Sequence, residues 1–313
     1  RSGSSMLQQL ILNSKQIESA PEPWFMLNLI YTYKENNIAS EYNPNYAVIN
    51  FKSFLQKKQK GLNNYKKDIK SLALSLYSNQ INDNCFFLDK TPRYYHIIDE
   101  LHELFPNAKF IYLVRNPLHV FASILNYNFK GNFKNFLSSE DRLDDLFLAP
   151  LKIQKALKKH SNGILIKYED VVKNPSYELT KIFNYLNLDL PENCHQYKIS
   201  NTFVNTSSID TKSLHLHSSP SKKYEYSWQE TIDTTQIKIL AINYLNKLKN
   251  SNENYFDYDL ELSLNKLKEH RIKKRTIFNL NFNYFSLNEN KLSLHQLLKK
   301  RVYNKLSDLW LKK

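Results

Sequence analysis

The chain opens on RSGSSMLQQLI, where Arg, Gly and Ser crowd together directly ahead of an apolar run. Gly3 permits a tight turn with the backbone close to a ligand, and Ser2, Ser4 or Ser5 can cap the helix that Met6, Leu7, Leu10 and Ile11 begin. A helix start carries unpaired N–H groups and the positive end of the helix dipole, so a loop of this kind makes a nest for phosphate or sulfate. Arg1 adds a planar fork of donors suited to the same oxyanions. Taken alone, the stretch reads more simply as a capped helix with a flexible start. The nucleotide P-loop pattern is not met, because no Lys follows Gly3 before Lys15. An anion held here is held differently from ATP in a kinase.

The elements that must position such a nest come next. Three short apolar runs read as buried strands, each followed by polar residues and then a helical pattern: CFFLDKTPR (85–93), KFIYLVRNP (109–117) and GILIKYEDV (163–171). Helices are predicted at Tyr95–Phe105, Leu118–Tyr127, Asp144–Lys159 and Ser176–Leu186, with a further helix start in 137–147 capped by Ser138 or Ser139. The stretch Glu22–Asp83 is mostly helical by composition, and 200–227 reads as a loop. Strands alternating with helices predict an α/β fold with a doubly wound parallel sheet. Ligands of such sheets bind outside the carboxyl ends of the strands. That rule selects Lys90 and Arg93, Arg115 and Asn116, and Tyr168 with Glu169 and Asp170.

The bulk properties narrow the class. A chain of 313 residues can bury a core without disulfide staples, and Cys85 and Cys194, the only cysteines, make neither a disulfide framework nor a zinc site. A reducing, cytoplasmic setting is the expectation. No run of about twenty apolar residues predicts a transmembrane helix, while an anchor upstream stays open. The net charge is +14, and eleven Lys and Arg against Glu289 and Asp308 fall between His270 and Lys313. This predicts an α/β domain over 1–269 and a basic helical extension over 270–313, with Leu294, Leu297, Leu298, Val302, Leu306 and Leu309 on one face. The extension reads as a solvated face that packs by its leucines, in preference to a membrane contact or a nucleic-acid surface.

Four stretches in order resemble the sulfotransferases that use 3′-phosphoadenosine 5′-phosphosulfate (PAPS), closest to their bacterial and tyrosylprotein branch. RSGSSML (1–7) is similar to the family's loop for the 5′-phosphosulfate, FLDKTPRY (87–94) to its second strand end, LFPNAKFIYLVRNPLHVFASIL (104–125) to its 3′-phosphate motif, and IKYEDVVKNP (166–175) to the strand and helix that follow. The likeness runs from residue 1 to about 190, with weak likeness again around Trp228. It implies a P-loop-like sheet flanked by helices. The family layout also puts a strand and usually a Pro ahead of the loop, so the chain is expected to lack its first, central strand and, as such a fragment, to fold poorly.

The resemblance further implies roles. Arg1, Ser2, Gly3, Ser4 and Ser5 hold the phosphosulfate, Arg115 and Ser123 the 3′-phosphate, and Tyr168 contacts the cofactor. Lys90 steadies charge on the departing phosphate, with Arg1 beside it, although a lone Lys after a strand is usually solvated and Asp89 could simply pair with it. A general base is required to take the proton of the acceptor hydroxyl. The hormone-type branch uses a His at the position held here by Pro92, so that base is missing. The tyrosylprotein branch uses a Glu in a turn before a helix, and SAPEPW (19–24) places Glu22 there, with His96 in reserve. Trp24 and Phe25 are candidates for the acceptor wall, and Lys222, Lys223 and Trp228 for closing over the nucleotide, although Ser227 stands where the related branch has a Lys.

The implied reaction is in-line sulfuryl transfer from PAPS to a hydroxyl acceptor (sugar, lipid, small alcohol or peptide Tyr), with no metal and no nucleic-acid partner. Two other classes compete. A P-loop nucleotide kinase would be protected by ATP with magnesium and not by PAPS. A non-catalytic protein binding nucleic acid or membrane through its basic tail would lose binding on deletion of 271–313 without loss of PAPS affinity.

Overall fold

The computed structural model describes residues 2–35, 38, 40–57, 59–83, 85–196, 219–221, 227–251 and 254–272. Arg1, Lys222, Lys223, nearly all of the loop predicted over 200–227 and the basic stretch 273–313 lie outside the described residues. The chain divides into two compact units, one of residues 1–120 with 149–227 and one of 121–148 with 228–313.

Along the chain the order is α1 (Ser4–Ile11), β1 (Ile17–Ser19), α2 (Phe25–Tyr31), α3 (Pro44–Gln56), α4 (Gly61–Ser78) and β2 (Phe86–Leu88). A 3-10 turn (Pro92–Ile97) leads into α5 (Ile98–Leu104) and β3 (Phe110–Val114). After α6 (Pro117–Phe129), α7 (Phe133–Leu137) and α8 (Glu140–Lys159) come β4 (Gly163–Lys167), α9 (Tyr168–Lys173) and α10 (Pro175–Leu186). All four described strands pair in parallel: β1 with β2, Ile17 opposite Phe86, and β3 with β4, Phe110 opposite Gly163. They form two separate two-stranded sheets among the described residues, where the sequence predicts one doubly wound sheet.

Three of these strands fall inside the predicted apolar runs. The fourth, β1, is a strand of IES that has neither an apolar run nor alternation to announce it. One apolar face of α1, with Leu10 and Ile11 essentially buried, packs with Ile17, Ile166, Tyr168, Val171, Leu179, Ile182 and Phe183 into one core. Leu88 of β2 and Ile111 and Leu113 of β3 pack against the same cluster, so both strand pairs share it. A second core gathers Met26, Leu27, Ile30, Ile69, Ala73, Ile97 and Leu101 from α2, α4 and the 3-10 turn with α5.

Two local expectations are corrected. The helix predicted over 144–159 and the start predicted in 137–147 are one helix, α8, which runs through Pro150. The helix predicted over Tyr95–Phe105 starts earlier, at Pro92, and its first part is the tighter 3-10 form. Proline there sits at a first-turn position, where its missing N–H costs nothing. Among the described residues no helix is long and apolar enough to cross a membrane, and both Cys85 and Cys194 are free thiols.

The second unit is held by aromatic packing. Phe121 stacks on Tyr244 and meets Phe136 edge-on, and Phe147 meets Tyr244 edge-on. Trp228 is buried at 4% exposure against the edge of the His270 ring.

Candidate active site

Gly3 precedes α1 with φ 92, a left-handed backbone, and no side chain caps the helix. The serines predicted as caps are instead half-buried around this start, with Ser4 and Ser5 inside the first turn. Among the described residues the first-turn amides of α1 have no side-chain acceptor, and an oxyanion suits them. A methyl group added at Gly3 would stand 2.4 Å from Cδ2 of Tyr168, so both the backbone angle and the space demand glycine.

Tyr168 is the platform beneath that turn. It begins α9 at the carboxyl end of β4, buried at 9% exposure, and the Arg115 guanidinium lies over its ring at 4.2 Å. A cation stacked on an aromatic face is held by the ring quadrupole without neutralising its charge. Arg115 leaves β3 at its carboxyl end, 8% exposed, just before Asn116 and Pro117. Asn116 starts α6 by accepting the Leu118 N–H at 3.0 Å, while its own N–H donates to Glu169 Oε1 at 3.0 Å. Three segments distant in sequence, the Gly3 loop, the β3 end and the β4 end, thus meet around one ring. Ser123 lies on α6, half-buried, in the second unit.

The second cluster stands at the carboxyl end of β2. Lys90 Nζ contacts Glu22 Oε1 at 2.5 Å and donates to Ser5 Oγ at 3.4 Å, which ties the loop, the cation and the carboxylate together. The Lys90 and Glu22 side chains are only 11% and 9% exposed. Trp24 Nε1 donates to the other Glu22 oxygen at 3.2 Å. Asp89 does not serve Lys90 as the simple pairing would have it. Its carboxylate accepts from Tyr77 (2.6 Å), Tyr94 (2.8 Å) and Thr91 (2.9 Å). Burial pushes the Asp89 carboxyl above its ordinary range, against the pull of those three donors, and burial together with Asp89 raises both phenols.

The predicted residues Ser5, Glu22 and Lys90 are therefore brought together, as are Gly3, Arg115 and Tyr168; Arg1 lies outside the described residues. His96 sits apart, on the 3-10 turn, and its burial among Arg93, Lys34 and Lys152 lowers it to about 4. Thr91 joins the site without a sequence signal of its own, because it contributes through a contact with the distant Trp24, while Trp24 and Glu169, both sequence candidates, meet the site through Glu22 and Asn116. Among the described residues no three His, Cys, Asp or Glu cluster closely enough to hold a metal ion.

An α/β unit whose cation-bearing strand ends surround a helix start offers surroundings suited to an anionic ligand, and similarity to known proteins gives the chain its family. The model described as the sulfotransferase family matches residues 1–192, and the chain belongs to that family. The nodulation protein NoeE of Sinorhizobium fredii (strain NBRC 101917 / NGR234) is 30% identical over 126 residues, 40% of this chain and 29% of that protein. The match thus spans less than a third of that relative's length. A solved sulfotransferase domain from the curacin biosynthetic pathway matches with a TM-score of 0.55 at 18% identity, covering 79% of this chain and 94% of that one, and shows the shared fold.

Proposed function

We propose that the chain transfers a sulfuryl group from PAPS to a hydroxyl acceptor. The observation that carries this reading is Lys90, within reach of both Ser5 at the anion loop and the carboxylate of Glu22. Sulfuryl transfer asks for that triad: an oxyanion cradle, a cation at the departing oxygen and a base at the acceptor oxygen. Gly3 packs directly against the Tyr168 ring, which sets the loop beside the Arg115 cation.

In this reading the first-turn amides of α1, with Ser2, Gly3, Ser4, Ser5 and Arg1, hold the phosphosulfate, and Arg115 takes the 3′-phosphate. Tyr168 keeps Arg115 and the Gly3 turn in place. Glu22 accepts the acceptor's hydroxyl proton as the new oxygen–sulfur bond forms. The bond from sulfur to the bridging oxygen breaks, and Lys90 turns from Glu22 toward that oxygen to meet its charge. Adenosine 3′,5′-bisphosphate leaves. The acceptor is a hydroxyl of a sugar, lipid, small alcohol or peptide Tyr. The free thiols fit a reducing compartment such as the cytoplasm, and 270–313 is assigned to a basic extension of the domain.

Labelled PAPS incubated with the full chain and a panel of acceptors tests this. Sulfated product with release of the bisphosphate is expected. ATP-dependent phosphorylation in its place would make the chain a kinase.

A further inference from the structure

We propose that Trp24 is a positioning residue for Glu22, set in place by a chain of hydrogen bonds that begins at Asp89; this rests on Glu22 being the base. Glu22 has two carboxylate oxygens and two different partners. Oε1 is held by Lys90 at 2.5 Å, and Oε2 by the Trp24 indole N–H at 3.2 Å. Once Lys90 turns to the departing oxygen, the indole is the donor that still fixes the direction of the carboxylate. Nothing about the acceptor is needed for this step.

Trp24 occupies a costly conformation to reach that place. Its φ is 60, in the left-handed region that bulky side chains avoid, and the residue is 41% exposed, so burial of the ring is not what holds it. The hold comes from the strand end opposite. The Trp24 backbone N–H donates to Thr91 Oγ at 3.4 Å. The Thr91 hydroxyl commits its own hydrogen to Asp89 Oδ1 at 2.9 Å, which leaves a lone pair facing Trp24. Asp89 in turn is fixed by the hydroxyls of Tyr77 and Tyr94. A buried carboxylate with three neutral donors is a rigid anchor, because each lost donor would strand polar atoms away from water. The anchor lies directly before Lys90 in sequence, so one short segment, 89–91, sets both the cation and, through Trp24, the base.

The test uses the full chain with PAPS and whichever acceptor the panel identifies. Trp24→Phe keeps an aromatic ring at an exposed position and removes the N–H donor together with the smaller ring of the indole. At neutral pH kcat falls about tenfold to a hundredfold, the scale of one hydrogen bond to a charged group, while KM for PAPS stays within about twofold. Thr91→Val, of the same shape, shifts kcat in the same direction by about threefold. An unchanged kcat in Trp24→Phe, beside an active wild type, overturns the proposal. So does an equal loss of kcat and PAPS affinity, which would mark Trp24 as packing alone. A wild type that neither binds nor consumes PAPS fells the proposed function itself, a failure visible before any variant is made.

Discussion

At the carboxyl ends of β3 and β4, Arg115 lies over the Tyr168 ring and the Gly3 turn closes on the same ring. At their amino ends stands an aromatic stack of another kind. His102 sits between Phe110 (3.7 Å) and His160 (3.8 Å, rings within 5° of parallel) and shares a hydrogen with the Tyr112 hydroxyl at 2.6 Å. Both clusters gather rings and ionisable groups around a buried central residue, Tyr168 at 9% exposure and His102 at 5%. One keeps its charge, and the other gives it up. A guanidinium stays ionised at any physiological pH, so stacking it on Tyr168 stores a cation at the site. Imidazole has a choice, and burial beside His160 lowers His102 to about 4. An aromatic platform thus preserves charge only where the cation resists deprotonation, and such a platform suits an anionic ligand.

Substitutions at the two ends should therefore fail in different ways. Glu22→Gln, on the ligand side, is expected to lower kcat about a hundredfold to a thousandfold with little change in melting temperature. A kinetic assay beside a thermal melt checks this, and a variant with full turnover removes Glu22 from the chemistry. Gly3→Ala is expected to weaken adenosine 3′,5′-bisphosphate binding about thirtyfold, since the added methyl meets Tyr168 at a left-handed backbone. Calorimetric titration reads that loss, and an unchanged affinity would mean the turn does not approach the ligand.

The amino end should respond in stability and pH instead. His102 is neutral when folded and takes up a proton near its ordinary value of 6.5 when unfolded. Its contribution is present above pH 6.5 and is lost as pH falls toward about 4, and buried His96 follows the same sign. The melting temperature is expected to drop across that window, and His102→Gln to flatten the drop while leaving kcat at neutral pH intact. A pH dependence as steep in the variant as in the wild type would remove His102 as its source.

The two ends also differ in how much of them the sequence discloses. Gly3, Lys90, Arg115 and Tyr168 stand at ends of strands or the start of a helix, where a run of apolar residues stops and a local pattern marks the place. Distant partners leave no such mark. Asp89 is adjacent to Lys90 in the chain, and only the packing of α4 shows that Tyr77, 12 residues earlier, claims its carboxylate. The stack of His102 on His160 depends on the return of α8 beside α5, which no spacing encodes. The serines ahead of α1 suggest a side-chain cap because Ser is a good one, yet Gly3 takes the position since only glycine fits against Tyr168. Strand β1 is hidden for a simpler reason, being too short to show a period.

The most direct test of the central claim, that the Gly3 turn and the Arg115–Tyr168 stack hold a nucleotide carrying a 3′-phosphate, is a paired calorimetric titration with adenosine 3′,5′-bisphosphate and with AMP. The wild type is expected to bind the bisphosphate at least about tenfold more tightly, and Arg115→Ala to erase that preference, the scale of one charge-assisted contact. Equal affinity of the wild type for the two nucleotides, or a preference that survives in Arg115→Ala, would contradict the claim.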